Sequence, residues 1–172
     1  MARPKGKHVR PTAEKVREAI FNVLGPDLEE HSVLHLFAGT GAMGLEALSR
    51  GAGLVVMVDQ HPAAINLISR NLAACGNPQQ AKVFKLDLHR DLKGLTCHDY
   101  LFDLVFLDPP YGRGLTNRCL EHLGTGTLLK PGATVVAEHA VAVDLSSTYG
   151  CLQLRSVRRY GSTGVSFYQR GE

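Results

Sequence analysis

Apolar positions along the chain follow two alternating rhythms. Val16, Ala19, Ile20, Val23 and Leu24 recur at i, i+3, i+4, i+7 and i+8, one stripe of a helix. Thr12 is placed to cap that helix, Glu14 falls in its first turn, and Gly25-Pro26 ends it. SVLHLF (32–37) then reads as a buried strand running straight into Gly39, and residues 42–50 as a helix closed by Gly51. LVVMVD (54–59) is a second strand. Residues 62–75 form a helix with Ile65, Ile68, Leu72 and Cys75 on one side, ended by Gly76-Asn77-Pro78. AKVFKLD (81–87) and FDLVFLD (102–108) are further strands, residues 115–123 are helical, Lys130-Pro131-Gly132 is a turn, and TVVAEH (134–139) is a fifth strand. CLQLRSVRRY (151–160) and VSFYQR (165–170), separated by Gly161-Ser162-Thr163-Gly164, form a hairpin.

Strands that alternate with helices predict an α/β fold with a mostly parallel, doubly wound sheet, to which the C-terminal hairpin adds antiparallel strands. Near-continuous apolar strands fit a sheet covered on both faces. The short loops predict a single domain over 1–172: a basic N-terminal segment and helix over 1–25, and a Rossmann-like core over 26–172.

The glycine loop brings in chemistry. Phe37-Ala38-Gly39-Thr40-Gly41-Ala42-Met43-Gly44 places GxGxxG between a strand and a helix. The first glycine allows a tight turn, the second lets backbone approach a ligand, and the third lets helix pack close on strand. Asp59 ends the second strand, 20 residues after Gly39, where a carboxylate can accept both hydroxyls of a ribose. Asp87, at the end of the third strand, is placed either as a strand-end cap or beside an adenine. These residues predict an adenosine-containing cofactor and leave a dinucleotide and S-adenosylmethionine both open. His35, inside the first strand, reads as a satisfied core histidine.

Asp108-Pro109-Pro110-Tyr111 closes the fourth strand. Two prolines stiffen the loop and remove two backbone donors, so its carbonyls remain acceptors. Asp108 adds a carboxylate, and Tyr111 a flat face for a planar base. An acceptor cluster beside an aromatic plate suits a planar substrate with an exocyclic amine. Hydrogen bonds from both amino protons to Asp108 and the Pro109 carbonyl would pyramidalise the nitrogen and aim its lone pair at a sulfonium methyl group. Positioning and electrostatics can supply most of the rate. A base within a polynucleotide must first be splayed out or unpaired.

Charge adds a partner. Residues 1–17 carry Arg3, Lys5, Lys7, Arg10, Lys15 and Arg17 against the single acid Glu14, and residues 151–172 carry Arg155, Arg158, Arg159 and Arg170 against Glu172. The whole chain is only +3, so basic ends flank an acidic body, a pattern that suits a polyanion. Composition excludes a disordered or fibrous chain: hydrophobic residues make up 44% and charged residues 20%. No apolar run has the length of a membrane helix, and the basic N-terminus is not followed by a secretory apolar stretch. Four scattered cysteines without a CxxC pair, and histidines without HxxxH spacing, predict neither disulfides nor a metal site. A cytoplasmic location is the expectation.

LFAGTGAMGLEALSRGA (36–52) followed by FDLVFLDPPY (102–111) resembles the RsmD family of bacterial 16S rRNA guanine-N2 methyltransferases. HVRPTAEKVREAIFNVL (8–24) is similar to that family's RPT…VRE segment, and YGST (160–163) to its C-terminal YGxT, so the likeness runs from about Lys7 to Phe167. The resemblance implies a Rossmann-like methyltransferase that uses S-adenosylmethionine on a guanine of 16S rRNA, in the assembling small ribosomal subunit. It implies that Phe37, Gly39, Thr40, Gly41, Asp59, Gln60, Asp87 and Leu88 bind the cofactor. Asp108, Pro109, Pro110 and Tyr111 would hold the guanine amine, and Lys7, Arg10, Thr12 and Arg17 would meet RNA. The sequence departs from the family pattern at His35, usually acidic, and at Asp59, usually glutamate. Few residues precede PKGKHVRPT, where members usually carry a basic hairpin.

Three other functions fit parts of the pattern. A nicotinamide dehydrogenase uses GxGxxG and an aspartate, but has no role for Asp108–Tyr111. Adenine-N6 methyltransferases share those four residues because adenine also offers an exocyclic amine, whereas protein glutamine methyltransferases usually carry asparagine at the first of the four. A non-enzymatic RNA-binding protein explains the basic ends but neither loop.

Overall fold

The computed structural model describes residues 14–172 apart from 77, 90, 91, 97 and 113. The chain forms two compact units that divide between Leu86 and Asp87. In the first, the helix predicted from the apolar stripe is α1 (Glu14–Leu24), which buries Val16, Ile20 and Phe21. β1 (Ser32–Leu36), β2 (Leu54–Asp59) and β3 (Ala81–Lys85) pair in parallel in the order β3-β2-β1, with Val33 opposite Val55 and Val55 opposite Ala81. β1 and β2 are buried from their second residue onward, as their unbroken apolar runs require, whereas β3 is the half-exposed edge.

Helices α2 (Ala42–Ser49) and α3 (Pro62–Ala74) connect these strands. The third glycine of the loop allows α2 its close approach. A Cβ built on Gly44 would lie 2.7 Å from Met57 Sδ and 3.1 Å from Val55 Cγ1. Arg50 ties α2 to α1: its guanidinium donates to Glu46 Oε1 at 2.8 and 3.0 Å and sits 4.6 Å from the centre of the Phe21 ring. Helix α3 buries Ala64, Leu67, Ile68, Asn71 and Leu72. Cys75, expected on the apolar side, is exposed instead, because the helix ends at Ala74 and Cys75 is its C-cap.

The second unit contains α4 (Lys93–Thr96), β4 (Phe102–Leu107), α5 (Leu115–Thr125), β5 (Leu129–Ala140), β6 (Thr148–Tyr149), β7 (Leu152–Tyr160) and β8 (Thr163–Arg170). Its strand order is β4-β5-β8-β7-β6: β4 and β5 are parallel, and every later pair is antiparallel. Lys130-Pro131-Gly132, expected as a turn before the strand, lies inside β5. Pairing jumps from Phe102–Leu129 to Leu104–Thr134, and Gly132 takes φ +75°, so the strand carries the segment as a bulge. Helix α4 and strand β6 are additions to the predicted elements, each too short to show a period in the sequence.

Beneath the hairpin, Tyr149 and Tyr168 meet edge to face at 5.6 Å. The Tyr168 hydroxyl donates to Ser146 O at 2.7 Å, the Tyr149 hydroxyl accepts from Ser146 N–H at 2.9 Å, and it donates to Asn117 Oδ1. Burial pushes both phenols above their ordinary pKa, so they remain hydroxyl donors. Parallel strands interleaved with helices as far as β5, followed by antiparallel β8 and β7, are the α/β fold class that the sequence predicted.

Candidate functional site

One group of candidate residues is built on the carboxyl ends of β1 and β2 in the first unit. Leaving β1, the chain takes positive φ at Phe37 (+55°), Gly39 (+57°) and Gly41 (+79°), which folds it back sharply before α2. Two glycines adopt this backbone readily; Phe37 is strained there by its Cβ. The loop is tied at two points. Gly39 N–H donates to Asp59 Oδ2 at 2.9 Å, and Asn71 Nδ2 donates to Thr40 O at 2.9 Å from within α3. Asp59, itself buried, also accepts His61 N–H on Oδ1 at 2.9 Å. Phe37, Gly39, Thr40, Gly41 and Asp59 therefore come together at one end of this unit, with the half-buried Gln60 following directly.

His35 is buried within β1, and its Nδ1 faces Gly44 N–H at 3.4 Å. Burial lowers its pKa to about 3, so the ring is neutral and can accept that donor. It is the core histidine that the sequence predicted.

Asp87 and Leu88 open the second unit. Asp87 is exposed and accepts His89 N–H on Oδ1 at 3.0 Å; Leu88 is buried. Of the residues expected to meet RNA, Lys7, Arg10 and Thr12 lie outside the described residues, as does the Thr12 cap. Arg17 is half-buried, 3.7 Å from Glu14 Oε1 and 3.9 Å from Glu46 Oε2, an arrangement that holds α1 to α2.

A second group of candidate residues follows β4 in the second unit. Asp108 is half-buried, Pro109 buried and Pro110 exposed. Tyr111 leaves 42% of its surface in solvent, while its hydroxyl lies 3.3 Å from Thr163 Oγ1 at the start of β8. Thr163 is itself buried and pinned from both sides, paired with Ala140 of β5 and Tyr160 of β7. Gly164 then passes under a histidine: a Cβ there would lie 2.5 Å from His139 Cε1. The His139 ring is fixed by Nδ1–H donating to Ala140 O at 2.9 Å and by Nε2 meeting Ser166 Oγ at 2.8 Å.

Two residues that shape these loops lie outside the candidate site residues of the sequence. Asn71 sits at i+3 from Ile68, on the buried face of α3, and a polar residue on an apolar stripe was the signal for it. The sequence places Thr163 in a hairpin turn, at the end of YGST, and nothing in local spacing links it to Tyr111.

Comparison with known proteins identifies the chain's relatives. The family model described as "Conserved hypothetical protein 95" matches residues 1–169. YlbH of Bacillus subtilis (strain 168), provisionally named an rRNA methyltransferase, is 36% identical over 165 residues, covering 96% of this chain and 90% of its own. Ribosomal RNA small subunit methyltransferase D of Escherichia coli (strain K12) is 32% identical over 169 residues, with coverage of 97% and 82%. Among solved structures, a Streptococcus pyogenes protein titled a conserved hypothetical protein aligns with a TM-score of 0.81 at 32% identity, covering 90% of this chain and 94% of that one. An RNA methyltransferase from Salinibacter ruber, in complex with S-adenosyl-L-homocysteine, shares the fold at 17% identity, with a TM-score of 0.69 and 95% of each chain covered. The chain belongs to the family of Conserved hypothetical protein 95, the RsmD family of methyltransferases.

Proposed function

We propose that this chain transfers a methyl group from S-adenosylmethionine to the exocyclic N2 amine of a guanine in 16S rRNA, free or within the assembling small subunit, in the cytoplasm. The observation that carries this reading is Tyr111: an exposed aromatic ring, anchored through its hydroxyl, directly after Asp108-Pro109-Pro110. A planar base can stack on such a plate, and the preceding carboxylate and proline carbonyls are acceptors for an amine. The name of the E. coli relative, a small-subunit rRNA methyltransferase, supports the substrate class. Among the described residues no helix is long and apolar enough to cross a membrane.

The first unit's residues fit the cofactor. Each oxygen of Asp59 accepts one backbone N–H and keeps lone-pair capacity, which suits the paired hydroxyls of a ribose. When bound, S-adenosylmethionine supplies an electrophilic methyl group. Gly39, Thr40 and Gly41 would line its methionine portion, Phe37 and Gln60 would contact the cofactor, and Asp87 and Leu88 would flank the adenine. Asp108 and the Pro109 carbonyl accept the two amino protons of the guanine, leaving its nitrogen lone pair directed away from the ring plane. Pro110 stiffens the loop, Tyr111 holds the ring flat, and the proton released after transfer has Asp108 as its nearest acceptor. Lys7, Arg10, Thr12 and Arg17 contribute to the RNA contact of the N-terminal segment.

The deciding experiment is methyl transfer from labelled S-adenosylmethionine to unmodified 16S rRNA, alone and assembled with ribosomal proteins, followed by nucleoside analysis. Label in N2-methylguanosine is expected. Label in N6-methyladenosine would keep the chemistry and change the base, and absence of both cofactor binding and label would remove the reading.

A further inference from the structure

The C-terminal hairpin is cationic without compensation. Residues 145–171 contain Arg155, Arg158, Arg159 and Arg170 and no Asp or Glu, although the whole chain is only +3. Arg170 is turned inward to Leu129 O. The other three lie on β7, and all are exposed. Strand β6 pairs only with Leu152 and Gln153, so from Arg155 onward the outer edge of β7 has no strand partner among the described residues. Val157, Arg158 and Arg159 are exposed in succession, which means that neither face of the strand is covered there. None of the ion pairs among the described residues involves these arginines; Arg155 donates from Nε to Gln169 Oε1 at 3.1 Å.

This edge leads to the aromatic plate. Arg158 pairs with Val165, Arg159 with Gly164 and Tyr160 with Thr163, and Thr163 holds the Tyr111 hydroxyl. Arg155 to Arg159 spans about 13 Å of strand. Resting on the rRNA reading above, we infer that the β7 edge is a second RNA-binding surface, on which Arg155, Arg158 and Arg159 contact phosphates of the strand flanking the base that stacks on Tyr111. Guanidinium groups on an open edge offer several donors each to phosphate oxygens. The surface carries register rather than sequence, because phosphate contacts position a strand without reading its bases.

Charged residues also protect open strand edges from pairing with other chains, and that role would need no RNA. The test separates the two. Affinity for unmethylated 16S rRNA, free and assembled with ribosomal proteins, is measured against salt concentration for the wild type, Arg158→Gln/Arg159→Gln and Arg155→Gln, with S-adenosylmethionine affinity as the check on folding. The double variant is expected to bind on the order of tenfold more weakly at 0.1 M salt, with a log–log salt slope shallower by about 1.4, near 0.7 per phosphate contact on single-stranded RNA. Arg155→Gln is expected to lose about half of that slope change, and Arg158→Lys/Arg159→Lys to recover most of the slope. If the glutamine variants match the wild type in affinity and slope, the surface is not an RNA contact, whether or not they self-associate. If the wild type neither binds nor methylates 16S rRNA, free or assembled with ribosomal proteins, the rRNA reading fails and this inference falls with it.

Discussion

The Tyr111 hydroxyl lies 3.3 Å from Thr163 Oγ1, across 52 residues of sequence. The contact joins the loop after β4 to the tip of the β7–β8 hairpin, so the ring proposed to stack on the substrate has its far end fixed by a different element. A neutral hydrogen bond of this kind contributes about 1 kcal/mol, and base–aromatic stacking about 1–3 kcal/mol. Thr163→Val should therefore lower kcat/KM for rRNA about three- to tenfold, Thr163→Ser should restore it, and Tyr111→Ala should lower it about 10- to 100-fold. Adding Thr163→Val to Tyr111→Phe should cause little further loss. Steady-state methylation assays on these variants decide the point, and full additivity of the two changes would dissociate Thr163 from the ring.

Asp108→Ala should reduce methyl transfer by about two orders of magnitude or more while leaving S-adenosylmethionine affinity within about twofold, because the carboxylate is proposed to act on the amine. Label incorporation and equilibrium cofactor binding, measured on the same preparation, test this. Collapse of cofactor affinity would move Asp108 out of the substrate's contacts.

Asp59 has the opposite signature. Its carboxylate holds Gly39 N–H and His61 N–H and is proposed to hold a ribose as well. Asp59→Ala strands two backbone donors, and a hydrogen bond to a charged group contributes about 1.5–3 kcal/mol. Cofactor affinity should fall at least about tenfold. Asn71→Leu, which removes the tie to Thr40 O and leaves the Asp59 carboxylate in place, should give a smaller loss in the same titration.

His35 makes stability depend on pH. Its folded pKa is lowered by burial to about 3, against the ordinary 6.5. Between these values the unfolded chain binds a proton that the folded chain does not. The stabilisation is thus complete above about pH 6.5 and declines as pH falls toward 3, by up to about 1.4 kcal/mol per pH unit. Urea unfolding between pH 7.5 and 5 should show a steeper decline for the wild type than for His35→Gln. Parallel slopes would assign the pH dependence to other groups.

Gly124 sets the distance between α5 and the strand beside it. A Cβ there would lie 1.8 Å from Tyr149 O, and Gly124 O already accepts Cys151 N–H at 2.8 Å. Backbone must shift to admit a methyl group, so Gly124→Ala should destabilise the protein by about 1–3 kcal/mol, measured by denaturant unfolding.

What was legible in the sequence was what a short window contains. The glycine loop, its strand and helix, and Asp59 20 residues on were all readable, because each follows from periodicity or fixed spacing, and the structure joins Gly39 to Asp59 directly. Lys130-Pro131-Gly132 departs from the expected turn: Pro-Gly usually ends a strand, while here β5 absorbs it as a bulge between two stretches of pairing with β4. Asn71 and Thr163 differ from these: each is tied by a polar contact to a residue 31 or 52 positions away, and no local pattern names such a partner.

Phe37 places a side chain at φ +55°, where glycine would sit without strain. Exchange for glycine would relieve about 1 kcal/mol of left-handed strain and delete the ring at the mouth of the glycine loop. Selection for thermostability and selection for methyl transfer should therefore diverge at this position, the first drifting to glycine and the second retaining the aromatic. Laboratory evolution run under each regime would record that conflict as a single codon that changes under the first and is held under the second.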